Sequence, residues 1–224
     1  ERTPLLAWVY GPDYSHSEAS GALVQEIVES KGSRAKIESR ARVLKVDTGV
    51  VRVEFMESKG HALKSLTFPQ VSPEPLIGTL AHGHYEDISL GADFFSGHLI
   101  HSSREGKKTT DLVASTATVE ETSGKVCLEV KTHIEIGTLW KKYEISKAAP
   151  EVKVTYRLKV NGLVASSLRA GIFTFMPSAF DRETLWFETV NGGAGAERFY
   201  LLGHALNHDE PVSQSVSATS CLGS

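Results

Sequence analysis

The stretch "KVCLEVKTHIEI", residues 125–136, decides the fold class of this 224-residue chain. Apolar residues at 126, 128, 130, 134 and 136 fall on one side, and charged residues or histidine at 125, 129, 131, 133 and 135 fall on the other. Successive side chains of a β-strand point to opposite faces of its sheet, so this alternation predicts a strand with one buried face.

A second segment, "EVKVTYRLKVNG" at 151–162, repeats the alternation and ends in an Asn161-Gly162 turn. The Asn-Gly pair is a strong hairpin signal because both residues accept positive φ angles. We predict that this strand lies beside the first one, with "WKKYEISKAAP" at 140–150 as their connection.

Shorter strand candidates bounded by Gly, Pro, Asn or Asp surround these two. They cover 34–46, 49–57, 62–68, 112–120, 169–176, 184–190, 197–203 and 212–219. About ten strands with scarcely a helix predict an all-β protein, a large antiparallel two-sheet β-sandwich with at most one or two short helices.

The helix candidate is 17–30, "SEASGALVQEIVES", and residues 1–33 are interpreted as a linker or helical lead-in. We expect 1–224 to be a single β-sandwich domain excised from a longer chain, because it opens at Glu1 without a methionine.

Composition excludes several classes of function. Hydrophobic residues make up 41% and charged residues 23%, as in ordinary globular proteins, and the net charge is −3. The nearest basic run, "SREGKK" at 103–108, is interpreted as a solvated turn, so no nucleic-acid partner is expected. Apolar runs fall short of the ~18 residues of a membrane helix, so no membrane partner is expected either.

Two distant cysteines, Cys127 and Cys221, fit a reducing compartment, and we expect a cytoplasmic location and no cofactor.

The densest polar segment is "AHGHYEDISLGADFFSGHLIHSS", 81–103, which carries four of the nine histidines. His82 and His84 form an HxH pair, which in a strand would share one face. With His98, His101 or one of Glu86, Asp87 and Asp93 as further ligands, the pair could bind zinc. A zinc-dependent hydrolase built on this pair is therefore one alternative, but no second metal anchor is present and we expect no metal. The same side chains, with His98 and His101, could instead act as acids and bases on a sugar. The simplest interpretation is a long loop on one rim of the sandwich.

A second dense segment is "MPSAFDRETLWFETVNGG", 176–193. Asp181 and Glu183 are close enough for a carboxylate pair, but a turn in which Asp181 bonds to the backbone explains them more simply. Arg182 and Trp186 remain candidates for contact with a sugar. The chain contains no GxSxG, no glycine-rich phosphate loop and no pattern typical of a nucleophilic cysteine, so no self-sufficient catalytic signature is present.

"LRAGIFTFMPSAFDRETLWFETVNGG", with the following "ERFYLLG" and "VSQSVSATSCLG", resembles the carboxy-terminal β-domain of glycoside hydrolase family 57 enzymes. The resemblance implies a galactose mutarotase-like supersandwich. It also implies that the catalytic carboxylates lie on a separate amino-terminal barrel, which this chain does not contain. The partners it implies are carbohydrate and the catalytic domain of the same polypeptide.

We therefore expect a carbohydrate-associated accessory domain that supports or lines a sugar-binding surface without cleaving bonds. The alternative within carbohydrate chemistry is an aldose epimerase-like enzyme that uses a pair of histidine and carboxylate. No catalytic residue is assigned. The candidate substrate-binding residues are His82, His84, Glu86, Asp87, His98, His101, Arg182 and Trp186.

Overall fold

A computed structural model describes residues 34–81, 94–162, 166–181, 183–189 and 195–200. The predicted helix at 17–30 and strand at 212–219 lie outside these ranges. The described ranges hold fifteen strands and two 3₁₀ turns, Glu57–Lys59 and Pro177–Ala179. The strands are β1 Lys36–Arg40, β2 Val43–Asp47, β3 Arg52–Met56, β4 Ala62–Thr67, β5 Ile77–Gly78, β6 His98–Ser103, β7 Lys108–Thr110, β8 Thr116–Glu121, β9 Lys125–Ile134, β10 Gly137–Ser146, β11 Val152–Val160, β12 Ser166–Ile172, β13 Thr174–Phe175, β14 Trp186–Thr189 and β15 Glu197–Tyr200.

Hydrogen bonding groups these strands into four sheets, and every pairing is antiparallel. Their strand orders are β1-β2-β3-β4-β5-β13, β11-β10-β9-β8, β12-β6-β7 and β14-β15. The predicted all-β antiparallel class is confirmed. No helix in the described ranges is long and apolar enough to cross a membrane.

The two strands with the clearest alternation in sequence are present as β9 and β11. The prediction that they are neighbours joined by a 140–150 connection is wrong, because β10 lies between them and pairs with both. The alternation of β10 is hidden in the sequence, since Lys141 occupies a buried position between Leu139 and Tyr143. A charged residue at an inward position therefore concealed one of the two inner strands of this sheet.

The six-stranded and four-stranded sheets pack face to face around one apolar core. The ring of Phe55 in β3 meets that of Tyr143 in β10 edge to face, with centroids 4.8 Å apart. Such aromatic pairs favour offset or edge-to-face contact. Further core residues from the two sheets are Leu44, Val46, Val53, Leu63, Leu66, Val126, Leu128, Val130 and Ile145. This shared core makes the architecture sandwich-like, as predicted.

The interpretation of 82–101 as a rim loop is wrong for its last residues, because 98–101 belong to strand β6. His98, Leu99 and His101 are buried there. Histidines inside a sheet weaken the apolar signal by which a strand is recognised in sequence. The turn at 103–108 is as predicted: Ser103 N–H donates to Lys107 O at 2.9 Å, and Arg104 is exposed.

The predicted Asp181 turn is also present, because Asp181 Oδ1 accepts the backbone N–H of Glu183 at 3.0 Å. This side chain mimics a backbone turn, as aspartates often do. It leads directly toward β14.

Candidate functional site

A lysine lies at the centre of the sandwich. Lys141 is on the inward face of β10, opposite Val130 of β9 and Tyr156 of β11. Its ammonium group is 2.7 Å from Asp111 Oδ2, and both side chains are fully buried. It also donates to Gly60 O, and to Gly97 O at 3.3 Å. Three oxygen atoms therefore surround the three N–H donors of a buried ammonium.

Asp111, which follows β7, connects this lysine to the three-stranded sheet. Its second oxygen, Oδ1, accepts the backbone N–H of Leu99 in β6 at 2.7 Å. An unpaired buried carboxylate is strongly unfavourable, whereas a paired one with a further hydrogen bond is tolerated. Asp111 thus ties β6 to β10 through the lysine.

Glycines permit the close packing around the ion pair. Gly60 and Gly97 both have left-handed backbones, with φ of 60° and 77°. A Cβ on Gly60 would lie 2.0 Å from Asp111 O, and one on Gly97 would lie 2.9 Å from the Tyr143 hydroxyl. Any larger residue would be strained at either position and would displace its neighbours. These two glycines bring their carbonyl groups to the lysine.

Two tyrosines complete what we call the Lys141 cluster: Lys141, Asp111, Tyr143, Tyr156 and the Gly60 and Gly97 carbonyls. The Tyr143 hydroxyl donates to His61 O at 3.3 Å. The Tyr156 hydroxyl is buried and has no hydrogen-bond partner in the described chain. Burial raises the pKa of both tyrosines, with a smaller contribution from the nearby Asp111 carboxylate. Burial also lowers the pKa of Lys141, which the Asp111 carboxylate opposes.

Two histidines border the cluster. His61 has a left-handed backbone, with φ of 53°, and its Nδ1 lies 2.8 Å from Ser115 Oγ. His98 Nδ1 is 2.8 Å from the carbonyl oxygen of Phe95, a pure acceptor, so this nitrogen carries the proton. Burial is the main cause that lowers the pKa of both rings. Both histidines are therefore neutral at pH 7.

The same region holds both ends of the histidine-rich segment 81–93. Leu80 and Phe94 form an antiparallel bridge, in which Phe94 N–H donates to Leu80 O at 2.9 Å. The buried Ser96 hydroxyl donates to Gly78 O at 2.5 Å and accepts Thr174 N–H at 2.7 Å. The described residues on the two sides of the segment are thus held together by hydrogen bonds, which we call the closed base of segment 81–93.

The candidate residues predicted from sequence are distributed unevenly over the structure. His82, His84, Glu86, Asp87 and Arg182 lie outside the described residues.

His98 and His101 are placed in the interior, only 7% and 8% exposed. Trp186 starts β14, where the Arg198 guanidinium lies 3.9 Å from its ring centroid. Trp186 is therefore far along the chain from the two histidines of β6, and its strand belongs to a different sheet. In the described ranges no three His, Cys, Asp or Glu side chains group as a metal site would require.

Sequence reasoning missed the residues that form the cluster. A signal for Lys141 was present, since it has the inward parity of Leu139 and Tyr143 in an alternating run. Asp111 carried no such signal, because its partner is thirty positions away on another strand. With its charges paired and buried, the cluster acts as a clamp that fixes three backbone segments and does not present a reactive group to solvent.

Comparisons of the chain with protein-family models, with curated proteins and with solved structures found no match. The fold and the Lys141 cluster define the chain as an all-β, sandwich-like protein with a charged clamp in its core.

Proposed function

We propose that this chain is a carbohydrate-associated accessory β-domain of a glycan-active enzyme resembling glycoside hydrolase family 57. In this proposal it supports or lines a sugar-binding surface and does not itself cleave bonds. The observation that carries the proposal is the closed base of segment 81–93, which joins a polar, histidine-rich stretch to a rigid sandwich. Binding residues are commonly carried on loops positioned by a rigid scaffold.

The interior supports a scaffolding role. Lys141 and Asp111 neutralise each other, and Lys141 also binds the carbonyl of Gly97, three residues after the base of the segment. A catalytic lysine or aspartate needs to reach a substrate, whereas these two side chains are fully buried. Their contacts favour a structural task, which is to fix the chain that leads into β6.

Contacts with sugar would come from residues that the sequence singled out. His82, His84, Glu86 and Asp87 supply the donors and acceptors that sugar hydroxyl groups require, and Arg182 and Trp186 add a guanidinium and an aromatic face. His98, which is buried, would support the base of the segment through its contact with Phe95 O, and His101 is buried further along β6. The remaining part of the surface would meet the catalytic domain of the same polypeptide.

Affinity electrophoresis through gels that contain neutral polysaccharides tests the proposal. We expect at least one neutral glycan to retard the chain, and we expect His82→Ala/His84→Ala to abolish most of the retardation. Lys36→Ala/Glu38→Ala is the matched control, because both side chains are exposed on β1 and pair with each other, so that their removal leaves the net charge unchanged.

Incubation of the same polysaccharides with the chain should release no reducing ends. Release of reducing ends that follows the chain through purification would refute the accessory role. Absence of retardation by every polysaccharide would refute the sugar-lining role.

A further inference from the structure

The outer face of the four-stranded sheet carries a half-buried tryptophan between two cations. Lys131 of β9, Trp140 of β10 and Arg157 of β11 are direct cross-strand neighbours, and Thr116 of β8 continues the row beside Lys131. The Arg157 guanidinium carbon lies 4.4 Å from the Trp140 ring centroid, and Lys131 Nζ lies 5.9 Å from it. Both distances are within the range of cation–π attraction.

This stacking orders the arginine without using its hydrogen bonds. A guanidinium that lies over an aromatic face keeps its N–H edge free, and that edge matches the geometry of a carboxylate or sulfate. In the described part of the chain, Lys131 and Arg157 make no ion pair with a carboxylate. The row therefore holds two positive charges that are available to an anion.

The adjacent row strengthens the positive field. It contains His133, Thr138 and Lys159, again as direct neighbours across β9, β10 and β11. Neither row contains a carboxylate. The row on the other side does contain one, Glu129, but it is paired with Lys142 at 3.2 Å. We call the two rows together the Trp140 patch.

We propose that the Trp140 patch binds an anionic glycan through its carboxylate or sulfate groups. This inference rests on the proposed carbohydrate function and names the glycan class for a second surface, which is built from the strands of the four-stranded sheet. The cations would bind the acidic groups, and threonine hydroxyl groups in the rows, such as Thr138, would bind sugar hydroxyl groups.

A glycan fits this patch better than a nucleic acid does. Arg157 covers the Trp140 ring, so the face on which a base would stack is occupied. The chain as a whole is negative, at −3, and would repel a long polyanion beyond the patch. A short acidic stretch of glycan needs only the local charges.

The test measures binding of the full chain to polygalacturonate, to chondroitin sulfate, to soluble starch and to a DNA duplex. Arg157→Gln/Lys131→Gln removes the two cations, and Trp140→Ala removes the ring that orders them. Lys36→Gln/Lys153→Gln is the matched control, since it removes the same net charge from exposed positions on β1 and β11 outside the two rows.

We expect at least one acidic glycan to bind, with Kd rising roughly tenfold or more in Arg157→Gln/Lys131→Gln because charge-assisted hydrogen bonds are lost. Trp140→Ala should weaken the same binding, and the control should change Kd by less than about twofold, as expected for a screened distant charge. The two acidic polymers distinguish carboxylate from sulfate recognition.

Three results would overturn the inference: no binding of either acidic glycan, equal weakening by the control pair, or tighter binding of the DNA duplex. Binding of starch alone, unchanged in the patch variants, would overturn the inference while leaving the proposed carbohydrate function intact. Failure of the proposed function is recognised separately, through the neutral polysaccharide gels and the His82→Ala/His84→Ala variant.

Discussion

Replacement of Lys141 by methionine is the sharpest test of the clamp. Methionine fills a similar volume but removes the ammonium from Asp111, Gly60 and Gly97. The Asp111 carboxylate would remain fully buried with one remaining donor, Leu99 N–H. Removal of one partner from a buried ion pair costs about 3–5 kcal/mol, a large share of the ~5–15 kcal/mol by which domains are stable. We therefore expect the free energy of unfolding to fall by about 4 kcal/mol.

Urea unfolding, followed by far-ultraviolet circular dichroism, measures this loss as a shift of the midpoint. The double variant Lys141→Met/Asp111→Asn should recover part of it, because no unpaired charge is left in the core. Lys142→Met is the matched control on the same strand: Lys142 is half-buried on the opposite, outer face, and its solvent-screened ion pair with Glu129 should contribute almost nothing.

A loss below about 1 kcal/mol for Lys141→Met would refute the reasoning, since a buried carboxylate cannot lose its counter-charge at so small a cost. A double variant that is less stable than the single one would also contradict it. That result would mean that Asp111 stabilises the fold through Leu99 alone.

Three further predictions concern the surroundings of the clamp. Burial lowers the pKa of His61 and His98, so the unfolded state binds more protons than the folded state below the ordinary histidine pKa of 6.5. Stability should therefore fall as the pH drops below 6.5. Thermal melts from pH 8 to pH 5 measure this loss of stability. Gly97→Ala should lower the free energy of unfolding, measured with urea, by about 2 kcal/mol or more, since its Cβ would meet a tyrosine oxygen at 2.9 Å. Gly49→Ala is the control, because Gly49 has a φ of 85° but open space around it, and this variant should lose only about 1 kcal/mol. Ser96→Ala should cost about 2 kcal/mol in the same assay, because it leaves a buried carbonyl and a backbone N–H without their partner.

The fold class was predictable because its strongest strands alternate over most of their length. In β9 and β11, apolar residues fall mainly on one face and polar residues mainly on the other, with Cys127 and Thr132 as exceptions in β9, and a strand with one buried face fits that pattern best. In β10, two adjacent lysines interrupt the pattern, although Lys141 has the parity of a core residue. The periodicity argument counts hydrophobic residues at inward positions, so it does not detect a charged residue that is buried in an ion pair.

The site was less accessible to sequence reasoning than the fold. Whether Lys141 is buried depends on where Asp111 lies, and that is decided by the pairing of sheets and not by spacing along the chain. The polar, glycine-containing sequence before His98 predicts a loop over 82–101, whereas His98 and His101 lie in β6. His98 is held by its hydrogen bond to Phe95 O, which only the folded chain reveals, whereas His101 Nδ1 is buried without a hydrogen-bond partner in the described chain.

The bridge between Leu80 and Phe94 has a consequence for how this protein can change over evolutionary time. Since the two ends of 81–93 are already held together, lengthening the chain between them adds only a little closure entropy, about 0.6 kcal/mol for each doubling. Insertions at this position should therefore cost the sandwich little closure entropy. Relatives of this domain should therefore keep the bridge while the length of the intervening sequence varies.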